Sequence, residues 1–162
     1  MSYLANLMTR TLQTAGPATA ATTVAAAACG AHDAESVAAP INAVSHIAWG
    51  DEAAQHDESS LKYTATGAAL NAAAIASWAA VYEMAFGQQA RRGNVKAALF
   101  GGAATAALAY VTDYYVVPRR LTPGFEKRLS PISMLAVYSA LAASLPLASL
   151  TIGQLKKTGP QP

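Results

Sequence analysis

Two long apolar segments joined by a short basic link constrain this chain more than any other feature. The first is Tyr63–Phe86, the second is Ala97–Val117, and Gly87–Lys96 lies between them. Glu83 is the only charged residue in the first segment, and Asp113 is the only one in the second. At about 1.5 Å per residue, a helix of this length covers the roughly 30 Å hydrocarbon core of a bilayer. The pair therefore predicts a transmembrane helical hairpin.

The composition indicates a surface that faces little water. Charged residues make up 12% of the sequence, about half their usual share in soluble domains, and 53% of residues are apolar. The mean hydropathy is only +0.24 because alanine replaces much of the usual Leu and Ile. Alanine surfaces let helix backbones approach closely. The net charge of +2 is too small to indicate nucleic-acid binding, and the single cysteine, Cys29, excludes an internal disulfide or a multi-thiolate metal site.

An uncharged run at about residues 11–31 predicts another span. It consists largely of Ala and Thr, so we expect other helices to shield it. A second interpretation is a secretory or lipoprotein signal, because small residues lead up to Cys29.

A further apolar run predicts the last span, at about residues 131–153. Pro146 lies inside it and has no amide hydrogen, so the sequence predicts a kink at this point. We expect Ser144 or Ser149 to satisfy the carbonyl that the proline frees.

Residues 32–62 form a connector that differs from the rest, since it holds all three histidines and most of the acids. Within it, Val37–Gly50 is apolar but too short to cross a bilayer. It predicts an interfacial or re-entrant helix with Trp49 at the headgroup level.

A basic turn at residues 118–130 follows the hairpin. With four spans, this turn and the connector lie at the same end of the protein. We therefore predict ion pairs between the connector acids (Asp33, Glu35, Asp51, Glu52, Asp57 and Glu58) and the basic residues of the turn (Arg119, Arg120, Lys127 and Arg128). Positive residues divide almost evenly between the two ends, and they favour a cytoplasmic N-terminus only slightly.

The two intramembrane acids, Glu83 and Asp113, lie near the ends of antiparallel helices, so we expect them at opposite membrane faces and not as a pair. Each continues a stripe of small residues, which predicts that both side chains point into protein. The stripes are Ala72, Ala76 and Ala79 before Glu83, and Gly102, Ala106 and Ala109 before Asp113. The expected partners are Arg91 or Arg92 for Glu83, and Arg119, Arg120 or His46 for Asp113.

The connector also contains a candidate metal site. If residues 51–60 are helical, Glu52 and His56 share one face at a spacing of i and i+4, which suits metal chelation. His46 is the third predicted ligand, and Asp51, His32 or Asp33 are further candidates. The alternative is that these acids are exposed and pair with the basic turn.

Two runs of sequence resemble segments of known proteins. They are Asp113-Tyr-Tyr-Val-Val-Pro-Arg-Arg-Leu-Thr-Pro-Gly-Phe-Glu-Lys-Arg-Leu-Ser130 and Pro40-Ile-Asn-Ala-Val-Ser-His-Ile-Ala-Trp-Gly50. Both resemble small uncharacterised multi-span proteins of the bacterial inner membrane. The resemblance implies a location and no activity.

The sequence thus predicts an all-α polytopic membrane protein, in which one domain (residues 1–162) has four transmembrane helices and a short interfacial or re-entrant helix between the first two. No catalytic motif is present, so we expect a non-catalytic scaffold or accessory subunit that packs against itself or a protein partner in the bilayer and binds no nucleic acid. The alternatives are a small transporter or metal- or proton-responsive protein, and a soluble alanine-rich bundle.

Overall fold

Alanine has the highest helix propensity of all residues, and helices make up most of this chain. A computed structural model describes residues 2–158, with side chains as far as residue 154, and no strand occurs in that part of the chain. The predicted all-α fold is confirmed. The α-helices are α1 (Tyr3–Asp33), α2 (Ala39–Val44), α3 (His46–Trp49), α4 (Tyr63–Tyr82), α5 (Gln88–Arg91), α6 (Val95–Val111) and α7 (Pro131–Thr158). Two π-helical segments (Glu83–Gly87 and Thr112–Val116) and three 3-10 turns (Asp51–Gln55, Arg119–Leu121 and Phe125–Lys127) complete the helical structure.

Four long helical elements form an antiparallel bundle: α1, α4 with its continuation into α5, α6, and α7. The most extensive packing is between α1 and α7, followed by α6 with α7 and α1 with α4, whereas α4 and α6 contact each other much less. Helices α4 and α6 are therefore consecutive long helices, as the predicted hairpin requires, but they are not the most closely packed pair of the bundle. The most closely packed pair is α1 with α7.

Three helices are long and apolar enough to cross a membrane: Tyr63–Arg91, Val95–Val116 and Pro131–Gln154. Four such helices were predicted, and three of the described helices meet the requirement by length and composition. Helix α1 is 31 residues long but does not reach the same hydropathy, because its central part is built from Ala, Thr and Gly.

Small residues explain how α1 reaches the centre of the bundle. Every fourth residue along one face is buried, and each of them is small: Thr14, Ala18, Thr22, Ala26 and Gly30. Such a face allows close backbone approach, which suits a helix packed between α4 and α7.

Helices α6 and α7 meet at the proline of α7. Pro146 removes the hydrogen bond that the Ala142 carbonyl would otherwise accept, and Gly102 of α6 packs directly against this carbonyl and the proline ring. The predicted role for Ser144 and Ser149 is wrong, since Ser144 donates to the Leu141 carbonyl (3.1 Å) and Ser149 donates to Glu83. The freed carbonyl is covered by glycine instead of being bound by a hydroxyl.

The predicted short helix in the connector is two helices, α2 and α3. All of α2 is buried, and its Ile41 carbonyl lies against Gly67 of α4 at a distance that leaves no room for a side chain there. Helix α2 is thus covered by protein, where irregular backbone is tolerated even at membrane depth.

We predict that Gly102→Ala lowers the free energy of unfolding by about 1–3 kcal/mol, because the added Cβ would collide with the Ala142 carbonyl and the Pro146 ring. Gly16→Ala in α1 is the matched control, because no atom lies within 4 Å of a Cβ added there. This control should be neutral or stabilising, as Ala replaces Gly in a helix. Thermal unfolding in detergent measures both, and equal effects would contradict the predicted close approach.

Candidate functional site

The Glu83 carboxylate is enclosed by three helical elements. Its side chain is 0% exposed and forms an ion pair with Arg91, with Nη2–Oε1 at 2.9 Å and Nε–Oε2 at 3.3 Å. The hydroxyls of Thr14 on α1 and Ser149 on α7 both donate to Oε1, at 2.5 and 2.6 Å. The predicted partner Arg91 and the inward orientation of Glu83 are confirmed.

A π-helical turn and two glycines make this arrangement possible. Glu83 begins the π segment Glu83–Gly87, and a side chain at Gly87 would collide with the Glu83 carboxylate. Gly153 of α7 packs against the backbone of Arg91 in the same way. The guanidinium neutralises the carboxylate and the two hydroxyls donate hydrogen bonds to it, so this group links the helices, although Nη1 of Arg91 is buried with no hydrogen-bond partner among the described residues.

Asp113 has a different environment, although it also lies in a π segment, Thr112–Val116. Its Oδ2 accepts a hydrogen bond from the Tyr138 hydroxyl at 2.6 Å. No ion pair to Asp113 occurs among the described residues. The predicted partners Arg119, Arg120 and His46 are therefore wrong, because the chain after Pro118 turns these arginines away and His46 bonds elsewhere.

Tyr138 and Ser149, the α7 partners of the two acids, lie about three turns apart along that helix. The two acids therefore occupy different levels of the bundle and form no pair, as predicted. The predicted small-residue stripe of α6 is buried at all three positions, Gly102, Ala106 and Ala109. In the predicted stripe of α4, only Ala79 and the terminal Glu83 are fully buried. Ala72 and Ala76 are only partly buried, because α4 turns the neighbouring face, Gly67, Asn71 and Ile75, inward.

Asp113 lines a cavity of about 60 Å³ inside the bundle. Helices α1, α4 and α7 supply most of its walls, and residues of α2, α3 and the loop at Pro123–Phe125 close one end. The walls are mostly apolar and include Trp78 and Phe125, with Asn71 and Thr22 as further polar residues. This cavity, with one carboxylate that pairs with no cation among the described residues, is the candidate functional site.

Three tyrosines support the carboxylate side of the cavity. The rings of Tyr110 and Tyr138 are perpendicular with centroids 5.3 Å apart, and Tyr114 lies 5.1 Å from Tyr110. This packing fixes the ring whose hydroxyl donates to Asp113.

Asn42 organises the connector, a role that the sequence pattern did not indicate. It is 0% exposed, its amide nitrogen donates to the His56 and Glu58 carbonyls, and its amide oxygen accepts from Thr64. The only signal was one amide side chain in the apolar run Val37–Gly50.

The predicted pairing of the connector with the basic turn is confirmed for two pairs. Lys127 binds Asp51 at 2.7 Å, and Arg128 binds Asp57 and also donates to the Ala54 carbonyl. In the described part of the chain, Glu52 pairs instead with Lys62, and neither Arg119 nor Arg120 forms an ion pair.

The predicted metal ligands are not brought together. Residues 51–55 form a 3-10 turn and His56 follows it in extended conformation, so the assumed helical i, i+4 spacing does not occur. His56 stacks on the Tyr63 ring, Glu52 accepts from the Tyr63 hydroxyl, and the buried Nε2 of His46 donates to the Thr122 carbonyl at 2.9 Å. Among residues 2–158, no group of three or more His, Cys, Asp or Glu side chains is placed to hold a metal ion.

No family model, curated protein or solved structure matches the chain.

We predict that Arg91→Met lowers the free energy of unfolding by about 3–5 kcal/mol, because it leaves the buried Glu83 charge without a cation. The double variant Glu83→Gln/Arg91→Met should recover part of this loss, since it removes both charges. Lys96→Met, at an exposed position, is the control and should change stability little. Denaturant titration in detergent measures all three, and a double variant no more stable than Arg91→Met would contradict the prediction.

The contact between the connector and the basic turn should depend on pH. The hydrogen bond and the charge of Lys127 hold the pKa of Asp51 below its usual 3.8. The pair therefore contributes stability above pH 3.8 and loses it as the pH falls through the lower folded-state pKa. Asp51→Asn should lower the midpoint of thermal unfolding slightly at pH 7, and the difference from the unmodified chain should vanish in strong acid. A difference that persists there would show that the pair is not responsible.

Proposed function

We propose that the chain is a non-catalytic integral protein of a bacterial inner membrane that acts as a scaffold or accessory subunit. One observation carries this proposal: the apolar helices α6 and α7 turn large apolar side chains outward, while the polar groups of Glu83, Asn42 and Asp113 are bonded inside. The outward side chains include Leu99, Phe100, Leu108, Ile132, Leu135 and Leu147, each at least half exposed. Apolar surface on this scale favours lipid or a protein partner over water.

We further propose that α1 is the fourth crossing. At about 1.5 Å per residue its 31 residues exceed the roughly 30 Å of the hydrocarbon core, and its polar hydroxyls on the packed face bond within the protein. An alanine-rich helix of low hydropathy is supported at this depth by its neighbours α4 and α7.

An open groove between α6 and α7 supports the role of an accessory subunit. It has a volume of about 440 Å³, and small residues line much of it: Ala103, Ala106, Ala107, Ser139 and Ala142. Small residues at a membrane helix surface favour close approach of another helix.

The test has two readouts on the full chain expressed in bacteria. The chain should sediment with the membranes, resist an alkaline wash and be extracted only by detergent. In mild detergent, native mass spectrometry should show it bound to a second copy or to a stoichiometric protein partner. Recovery in the soluble fraction would overturn the membrane proposal, and an isolated monomer would overturn the scaffold proposal.

Ala107→Leu fills the groove from an exposed position, so we expect it to weaken this association without changing membrane extraction. Ala73→Leu, on an exposed face of α4 outside the groove, is the matched control and should keep the complex. Equal association for the two variants would show that the α6–α7 groove is not the contact.

A further inference from the structure

The two acids of the apolar helices, Glu83 and Asp113, have different environments. Glu83 has a guanidinium and two hydroxyls around it, whereas Asp113 has one tyrosine hydroxyl and faces the cavity. A carboxylate in an apolar membrane cavity requires a counter-charge to stay ionised, and ionisable groups in such places mark sites of function by default.

The polar side chains that line the cavity offer hydrogen-bond acceptors to a ligand. The Tyr138 hydroxyl and the Thr22 hydroxyl already donate, to Asp113 and to the Ala18 carbonyl. The Asn71 amide nitrogen donates one of its two hydrogens to the Thr23 hydroxyl at 3.3 Å, and its amide oxygen is available as an acceptor. A ligand that complements this set supplies N–H donors and a positive charge.

The number of polar residues and the apolar residues of the cavity wall determine which kind of cation fits. Ca²⁺ binds six or more oxygen ligands, and Mg²⁺ requires an octahedral set, which the few polar residues of the cavity do not offer. Apolar side chains such as Ile75 and Leu141 suit alkyl groups, and the ring of Trp78 attracts an organic cation. At about 60 Å³ the cavity is well below the roughly 150 Å³ that accepts benzene, so the ligand has only a few heavy atoms.

We propose that the Asp113 cavity is a binding site for a small primary alkylammonium ion. The ammonium group donates to the Asp113 carboxylate and the Asn71 amide oxygen, and the alkyl group packs against Ile75 and Leu141 beside Trp78. This site goes beyond the scaffold role and does not depend on any protein partner.

Trp78 provides the readout, because the chain has two tryptophans and the other, Trp49, lies outside the cavity. In the full chain carrying Trp49→Phe, purified in detergent, ethylammonium chloride should change the Trp78 fluorescence saturably and raise the midpoint of thermal unfolding. Sodium chloride at equal ionic strength and tetraethylammonium chloride should do neither. No saturable response in either measurement would overturn the site, as would an equal response to sodium or to tetraethylammonium.

Asp113→Asn should weaken ethylammonium binding about tenfold or more, since it removes a charge-assisted hydrogen bond. Asp51→Asn removes an equal charge outside the cavity at the same end of the bundle and should leave the affinity unchanged. Ala74→Phe keeps the carboxylate but fills the cavity from an exposed wall position, so it too should weaken binding. Binding that survives either Asp113→Asn or Ala74→Phe would overturn the proposal.

Discussion

The bundle depends on one buried ion pair, Glu83 with Arg91. A carboxylate with no exposure is tolerated only when its charge and its lone pairs are satisfied, and here the guanidinium, Thr14 and Ser149 do so together. These groups come from α1, from the end of α4 with α5, and from α7. Satisfying one charge therefore fixes the relative positions of three helical elements at one end. Alanine faces alone would allow the helices to slide or rotate against each other, because they pack smoothly in many registers.

The opposite end is held by a different kind of interaction. There, Asn42 ties α2 to the backbone near His56 and to α4, and two exposed ion pairs tie the connector to the basic turn. Exposed pairs are weak and screened by salt, while a fully bonded buried amide is specific in geometry. The cavity at Asp113 lies next to this end, where α2, α3 and the loop at Pro123–Phe125 contribute to its walls. A carboxylate with no ion pair among the described residues thus lies beside an internal cavity.

Much of the architecture could be predicted from the sequence, because apolar length is a direct physical requirement. The all-α fold and three helices able to cross a membrane followed from the lengths of the apolar runs. The Arg91 partner and the link from connector to turn followed from the positions of charged residues. The packing order did not follow, since an alanine stripe does not specify which neighbour it meets. Asn42 and the π segments were missed for a related reason: a single amide or one extra residue per turn leaves almost no trace in hydrophobic periodicity.

Both acids lie in π segments, and the residues that follow each segment explain why the acids have such different partners. A π turn inserts one extra residue, which rotates everything beyond it relative to the preceding helix. After Glu83 this rotation continues through Gly87 into α5, so that Arg91 returns to the carboxylate. After Thr112 the π segment ends in the extended residues Val117 and Pro118, and the following arginines leave the bundle instead of returning to Asp113. The continuation into α5 thus brings a cation to Glu83, whereas the extended residues after the second π segment carry the arginines away from Asp113. Asp113 is left open to a cation from outside the chain.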